Sequence, residues 1–448
     1  MSSEWQSTTL GAICNAQGGA IQTGPFGSQL HTSDYKENGI PVVMPTNIGE
    51  GGISEDGIAR VDDSDVERLS QHKLSLGDIV FSRRGDVTKN ALIRPHEVGW
   101  LCGTGCLKVR LGDKSVADER FISYHLRSPR TKEWLVRHAV GATMPNLNTG
   151  ILASVPIMLP PLHVQLRIGE ILGSLDDCIA ILRETNATLE AMAQAIFKSW
   201  FVDFDPVRAK AEGRQPERMD GATAALFPDS FEDSELGDVP AGWSVFPIGE
   251  LVKCVGGATP STKNSEFWEP AEFAWTTPKD LSGLQSPILH KTEKMVSSKG
   301  VLKISSGLLP AGTLLMSSRA PIGYLAISSI AVAVNQGYIA IPPGGKLSPL
   351  YLLHWCRQNM ELIKSHANGS TFMEISKKAF RPLPALLPSV EVLAEFTKRV
   401  SPIFESIAAN DRQINLLAEI RDTLLPKLIS GEIRLPEAES IVRSAVNA

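Results

Sequence analysis

Between residues 160 and 201, and again between 388 and 429, apolar side chains recur every three or four positions. The first stripe is Ile168, Leu172, Leu175, Ile179, Leu182, Asn186, Leu189, Met192, Ile196. The second is Phe396, Val400, Ile403, Ile407, Asn410, Ile414, Leu417, Ile420, Leu424, with the same spacings at a constant offset of 228. A period near 3.5 predicts one long helix in each place, each with a seam too apolar to stand alone. The two are expected to pair antiparallel as a coiled coil, because a repeat folded back on itself acquires a pseudo-twofold. Gly173-Ser174 aligns with Ser401-Pro402, weakening both helices at the same point. The firm helices are therefore read as about 174–201 and 402–425, roughly 42 and 36 Å long at 1.5 Å per residue. One turn of DNA is about 34 Å, a comparable ruler. Asn186 and Asn410 interrupt the seam, at different heptads if the pairing is antiparallel. Each either fixes register or reaches solvent.

The duplication extends upstream of the helices. Gly141-Ala142-Thr143 faces Gly369-Ser370-Thr371, and Pro156–Pro160 faces Pro384–Pro388 at the same offset. With small insertions, Trp5…Gly11 matches Trp243…Gly249, and Gly18-Gly19 matches Gly256-Gly257. Pro45-Thr46-Asn47 lies opposite Pro278-Lys279-Asp280, and Gly77–Arg84 opposite Gly312–Arg319. Short apolar runs such as Ile79-Val80-Phe81, Leu314-Leu315-Met316 and Gly337–Ile341 sit between turn residues and predict strands. Phe121–His138 and Leu350–His366 have helical spacing. The fold class expected is α+β: two globular domains separated by a two-helix coiled coil. The boundaries read as 1–159 for domain 1, 160–201 for spacer helix 1 and 202–240 for a linker. Domain 2 follows at 241–387, then spacer helix 2 at 388–430 and a tail at 431–448.

Composition narrows the function. The 448 residues carry a net charge of −5 and 43% hydrophobic residues, an ordinary globular balance. Its distribution is uneven: 202–240 holds 4 basic against 10 acidic residues, and 241–387 holds 14 against 8. An acidic linker thus masks a basic domain, and the overall charge says little against nucleic-acid binding. No run of about 18 apolar residues predicts a membrane span, and the first residues lack the pattern of a secretory signal. Six scattered cysteines point to reduced thiols and a cytoplasmic setting. Cys102 and Cys106 could form half a zinc site, but no second pair follows, so no metal site is expected.

Catalytic motifs are missing from the sequence. Gly344-Gly345-Lys346 lacks the rest of a P-loop, and Asp205-Pro206-Val207 is not the Asn/Asp-Pro-Pro-aromatic signature of an amino-methylating enzyme. No Glu-x-Lys and no HExxH occurs, and no catalytic residue is assigned. What remains is polar side chains on the loops of a doubled scaffold. In copy one these are Thr46, Asn47, Ser82, Arg83, Arg84, Lys89, Thr143 and Asn146. In copy two they are Thr277, Lys279, Asp280, Ser317, Ser318, Arg319, Asn335, Gln336, Ser370 and Thr371. Arg and Lys neutralise phosphates or bind guanine, Asn and Gln can bind adenine, and hydroxyls reach either. Phe197, Trp200 and Phe201 close the first helix in an aromatic cluster, readable as core or as a partner-docking site. A scaffold that binds peptides or subunits and never touches DNA is the alternative.

The stretch Ala195–Lys210 (AIFKSWFVDFDPVRAK), the closing Leu424–Ile433 (LLPKLISGEI), Gly24–Ser28 (GPFGS) and Trp275–Leu281 (WTTPKDL) resemble the DNA-specificity subunits of type I restriction-modification systems. That resemblance spans essentially the whole chain. It implies two target-recognition domains, each reading one half of a bipartite, asymmetric double-stranded site, with the helices setting the gap and docking partners. It also implies two methyltransferase subunits that use S-adenosylmethionine to methylate adenine, and two motor-nuclease subunits that use ATP and Mg. The chain itself would hold no cofactor and no catalytic centre.

Overall fold

The computed structural model describes residues 5–26, 29–49, 51–141, 143–369 and 373–446. The chain divides into two compact units, Met1–Ala180 with Ile414–Ala448, and Ile181–Gln413.

In the first unit, Gln6–Thr9 pairs antiparallel with Pro156–Leu159 and so ties the start of the domain to its end. A four-stranded antiparallel sheet has the order Gly18–Thr23, Cys106–Gly112, Ile79–Ser82, Asn90–Leu92. A three-stranded sheet centres on Ile40–Val43, antiparallel to Ala59–Val61 and parallel to Leu101–Cys102. Ile79, Val80 and Phe81 are wholly buried, as a central strand flanked on both faces requires.

The second unit repeats this plan on its own residues, except that the fourth strand of its larger sheet is Ile288–Leu289, parallel to Ile322–Ser328, rather than a counterpart of Gly18–Thr23. Ser244–Pro247 pairs antiparallel with Pro384–Leu387. Phe273–Thr276 lies antiparallel to Lys294–Val296 and parallel to Val332–Val334. Leu314–Ser318 lies between Ile322–Ser328 and Tyr338–Ile341 in the four-stranded sheet. The one parallel pairing within each three-stranded sheet recurs at matched strands, so the duplication read from the sequence is a duplication of topology.

Both long helices are longer than the seam predicted: Leu162–Phe201 has 40 residues and Val390–Ser430 has 41, about 60 Å each at 1.5 Å per residue. The expected starts at 174 and 402 are therefore corrected. Residues 162–173 bury Ile168, Ile171 and Leu172 in the first unit's core, and 390–401 bury Val392, Phe396 and Val400 in the second's. That burial outweighs the cost of Pro402, which sits exposed on the outer face of its helix.

Antiparallel pairing of the helices shows within each unit. In the second, Asn410 Nδ2 donates to Asn186 Oδ1 (2.8 Å) and Asn186 Nδ2 to Asp411 Oδ1 (2.9 Å). The two asparagines thus meet at one level rather than at different heptads. Met192 departs from the seam and is exposed. In the first unit, Asp176 accepts from Arg421 (2.7 Å), Arg127 (3.2 Å) and Tyr124 Oη (2.7 Å). This node fastens both long helices to the short helix Glu119–Arg127.

Two segments differ from their expected character. Residues 202–240 are folded, with helices Asp205–Ala211 and Gly221–Ala225 and a hairpin of Phe231–Ser234 with Gly237–Pro240. Val207, Phe227 and Val239 are buried in the second unit's core, so this acidic stretch is no bare linker. The 431–448 tail contains a helix, Leu435–Val446, that buries Ala438 in the first unit and pairs Glu439 with Arg167.

Candidate nucleic-acid interface

In the first unit a hairpin turns after Ile79–Ser82, closed by the Ser82 amide donating to the Lys89 carbonyl (3.0 Å). Gly85 at its tip has φ +79°, a left-handed conformation that a residue without Cβ adopts freely. The segments 139–141 and 143–148 lie alongside. The Leu147 amide donates to the Arg83 carbonyl (2.9 Å), Arg84 bridges Asn146 through the backbone, and Arg83 Nε donates to Asn146 Oδ1 (3.3 Å). The turn Pro45–Asn47 reaches the same place through Gly105, whose carbonyl accepts from the Arg83 amide (2.8 Å). A Cβ at Gly105 would come within 3.3 Å of the Pro45 ring.

The second unit builds the same corner. The hairpin after Leu314–Ser318 places Ala320 at φ +53°, in the role of Gly85. The Ile375 amide donates to the Ser318 carbonyl (3.0 Å), and Arg319 bridges Glu374. Gly337 takes the role of Gly105: its carbonyl accepts from the Ser318 amide (2.8 Å), and a Cβ there would meet the Pro278 ring at 2.9 Å. Strand, turn, hairpin and side loop thus converge at one corner of each unit.

Side by side, the candidate residues separate into two groups. Thr46, Arg84, Thr143, Lys279 and Gln336 are exposed, and Arg83, Lys89, Asn146, Thr277, Asn335 and Arg319 are half-buried. Lys279 pairs with Glu293 (2.8 Å), and Gln336 accepts from Thr259 Oγ1 (2.7 Å). Asn47, Ser82, Ser317 and Ser318 are buried, unlike the other described candidates. Asn47 Oδ1 accepts from the Met44 amide (3.0 Å), capping the turn that Pro45 begins. Asp280 does the same in copy two, taking the Thr277 amide (2.7 Å), Thr277 Oγ1 and the Glu293 amide. Ser82 Oγ donates to the Arg84 carbonyl, and Ser317 Oγ donates to the Pro321 carbonyl and accepts from the Tyr324 amide. Asn335 Oδ1 holds the Gly337 amide. These matched polar residues hold the corner's shape. Ser370 and Thr371 lie outside the described residues.

Sequence reasoning missed Glu374, Lys364 and Met373, which flank Arg319 across an open cavity. The 228-residue offset would have found Glu374, since it lies opposite the named Asn146.

Of the two readings of the aromatic cluster, core packing is the one the burial of its side chains matches. Phe197, Trp200 and Phe201 are 3–6% exposed. Phe197 packs on Tyr351 and Phe396, Trp200 on Phe227, and Phe201 on Trp243. In the same core, the His354 ring stacks on Phe197 with both nitrogens lacking a hydrogen-bond partner. Burial, with Arg357 nearby, pushes its pKa down to about 3.

Among the described residues no group of three or more His, Cys, Asp or Glu is placed to hold a metal. Burial raises the Cys102 thiol to about 12 and Cys106 well above its ordinary value, so both are packed, protonated side chains. Among the described residues no helix is long and apolar enough to cross a membrane.

A family model described as the type I restriction modification DNA specificity domain matches residues 2–191 and again 240–419. The chain belongs to this family. The specificity subunit of the type I restriction enzyme HindI of Haemophilus influenzae is 27% identical over 96% of this chain and all of its own length. That of MjaIX from Methanocaldococcus jannaschii is 33% identical over 42% of this chain and 44% of its own. The fold is similar to that of a type I restriction-modification S subunit from M. genitalium. The TM-score is 0.53 at 17% identity, over 95% of this chain and 96% of the other.

Proposed function

We propose that this chain is the address-reading subunit of a type I restriction-modification complex and has no catalytic role of its own. Its two corners carry one half each of a bipartite, asymmetric double-stranded DNA site. The observation that carries this reading is the doubled corner with a shared frame and different outward groups. Gly105 and Gly337, Asn47 and Asp280, and the hairpin backbones recur, while Arg84 with Asn146 becomes Arg319 with Glu374. A frame held constant while its outward chemistry varies is what two different base sequences require.

Specificity subunits of this family assemble with DNA and the other subunits of their systems. In finer detail, two methyltransferase subunits and two motor-nuclease subunits join this chain, and the long helices set the gap between half-sites and dock the methyltransferases. S-adenosylmethionine, ATP and Mg are bound by those partners. The test is equilibrium binding of the assembled methyltransferase complex to duplex DNA over a range of salt. Binding that weakens steeply with salt and prefers one two-part sequence supports the reading. Assembly without any duplex binding makes the chain a protein scaffold instead.

A further inference from the structure

The second unit's corner contains a carboxylate where its counterpart contains an amide. Glu374 Oε2 lies 3.7 Å from Arg319 Nη1, and the two side chains are 44% and 38% exposed. With Pro321, Ile322, Lys364 and Met373 they line an open cavity of about 590 Å³. The cavity wall carries two cations, in a segment where bases outnumber acids.

An exposed carboxylate at a DNA-reading corner is repelled by phosphates, so its partner on the duplex must be a hydrogen-bond donor. On the major-groove edge, guanine shows two acceptors, thymine one acceptor, adenine one acceptor and one donor, and cytosine a donor alone. Cytosine N4 is therefore the group that suits Glu374, since cytosine's own edge adds no acceptor and the O6 of its paired guanine is left to a cation. The guanidinium next to it suits guanine O6 and N7. The ion pair is a single, half-exposed contact, weak enough to be exchanged for base edges. In the first unit the matched pair is Arg84 and Asn146, and an amide that both donates and accepts suits adenine.

Resting on the function proposed above, we infer that Arg319 and Glu374 together read a cytosine–guanine pair in the half-site addressed by residues 241–387. Glu374 sets the identity of the cytosine, and Arg319 sets that of the guanine.

The experiment co-expresses the chain with its methyltransferase subunits in a host without adenine methylation and maps methylated adenines across the genome. The wild-type motif is expected to hold a fixed C·G pair in the half that changes when 241–387 is exchanged. Glu374→Ala should admit other bases there, with discrimination falling about tenfold, while the remaining positions stay fixed. Glu374→Gln should move the preference toward adenine, and its methylation elsewhere in the relaxed motif shows that the complex has assembled. Arg319→Ala should relax the guanine. The inference is overturned if that half contains no fixed C·G pair, or if both Glu374 variants methylate the unaltered motif. It is equally overturned if both assemble but lose methylation at every sequence, the outcome of a merely structural residue. A wild-type complex that methylates without a two-part motif would instead refute the underlying function.

Discussion

Removing the carboxylate of Asp176 tests how the first unit holds its helices. Asp176, Arg127 and Arg421 have side chains only 15, 9 and 14% exposed. Asp176→Ala leaves two largely desolvated guanidinium groups without the carboxylate they share, with Asp422 (2.8 Å) still paired to Arg421. Breaking a buried pair in this way costs about 3–5 kcal/mol, because the surviving charge stays buried without compensation. For a unit of about 200 residues each kcal/mol shifts the midpoint by about 2–4 °C, so a fall of about 6–20 °C is expected. The pH dependence has a definite sign. Burial opposes ionisation of Asp176, but Arg127, Arg421 and their hydrogen bonds win, holding the carboxyl below its ordinary value of 3.8. Its contribution is thus complete above that value and fades as pH falls through the lower, folded-state pKa. Thermal unfolding of wild type and Asp176→Ala at pH 7, repeated toward pH 3, measures both. A shift under 2 °C at pH 7, or a difference that does not narrow toward acid, would refute the node's role.

His354→Leu should stabilise the second unit by about 1 kcal/mol or more, since it removes two buried ring nitrogens without partners. Because the folded-state pKa of His354 lies near 3, the wild type should lose stability as pH falls below the ordinary histidine value near 6.5, and urea unfolding should show that slope reduced in the variant. Asn47→Ala and Asp280→Ala should each cost about 1 kcal/mol through loss of a cap, with the methylated motif unchanged. An altered motif with unaltered stability would return both residues to the reading surface. Inserting one heptad at the same level of both long helices keeps the seam in phase. It should lengthen the gap between half-sites and leave both half-site sequences intact; a constant gap in the methylation map rejects the ruler.

The sequence exposed what repeats. The 228-residue offset and the seam marked the doubled topology, because core positions and turn prolines must recur wherever the frame recurs. It did not separate side chains that face outward from those that hold the frame. Asn47 and Ser82 have the composition of reading residues, and only the geometry shows them bonded to their own turns. The helix starts were hidden because Gly173 and Pro402 are local signals, whereas burial of Ile168 and Phe396 is a tertiary one. Residues 202–240 misled through their charge, since ten acids on the surface conceal the buried Val207, Phe227 and Val239. The meeting of Asn186 with Asn410 depends on a register that periodicity alone leaves free.

The central claim is that two independent readers share one non-catalytic chain. Replacing residues 241–387 by the corresponding segment of a relative, and mapping methylated adenines with the same methyltransferase subunits, tests it most directly. One half of the motif should change completely while the other half stays as it was. A change in both halves, or in neither, would contradict it.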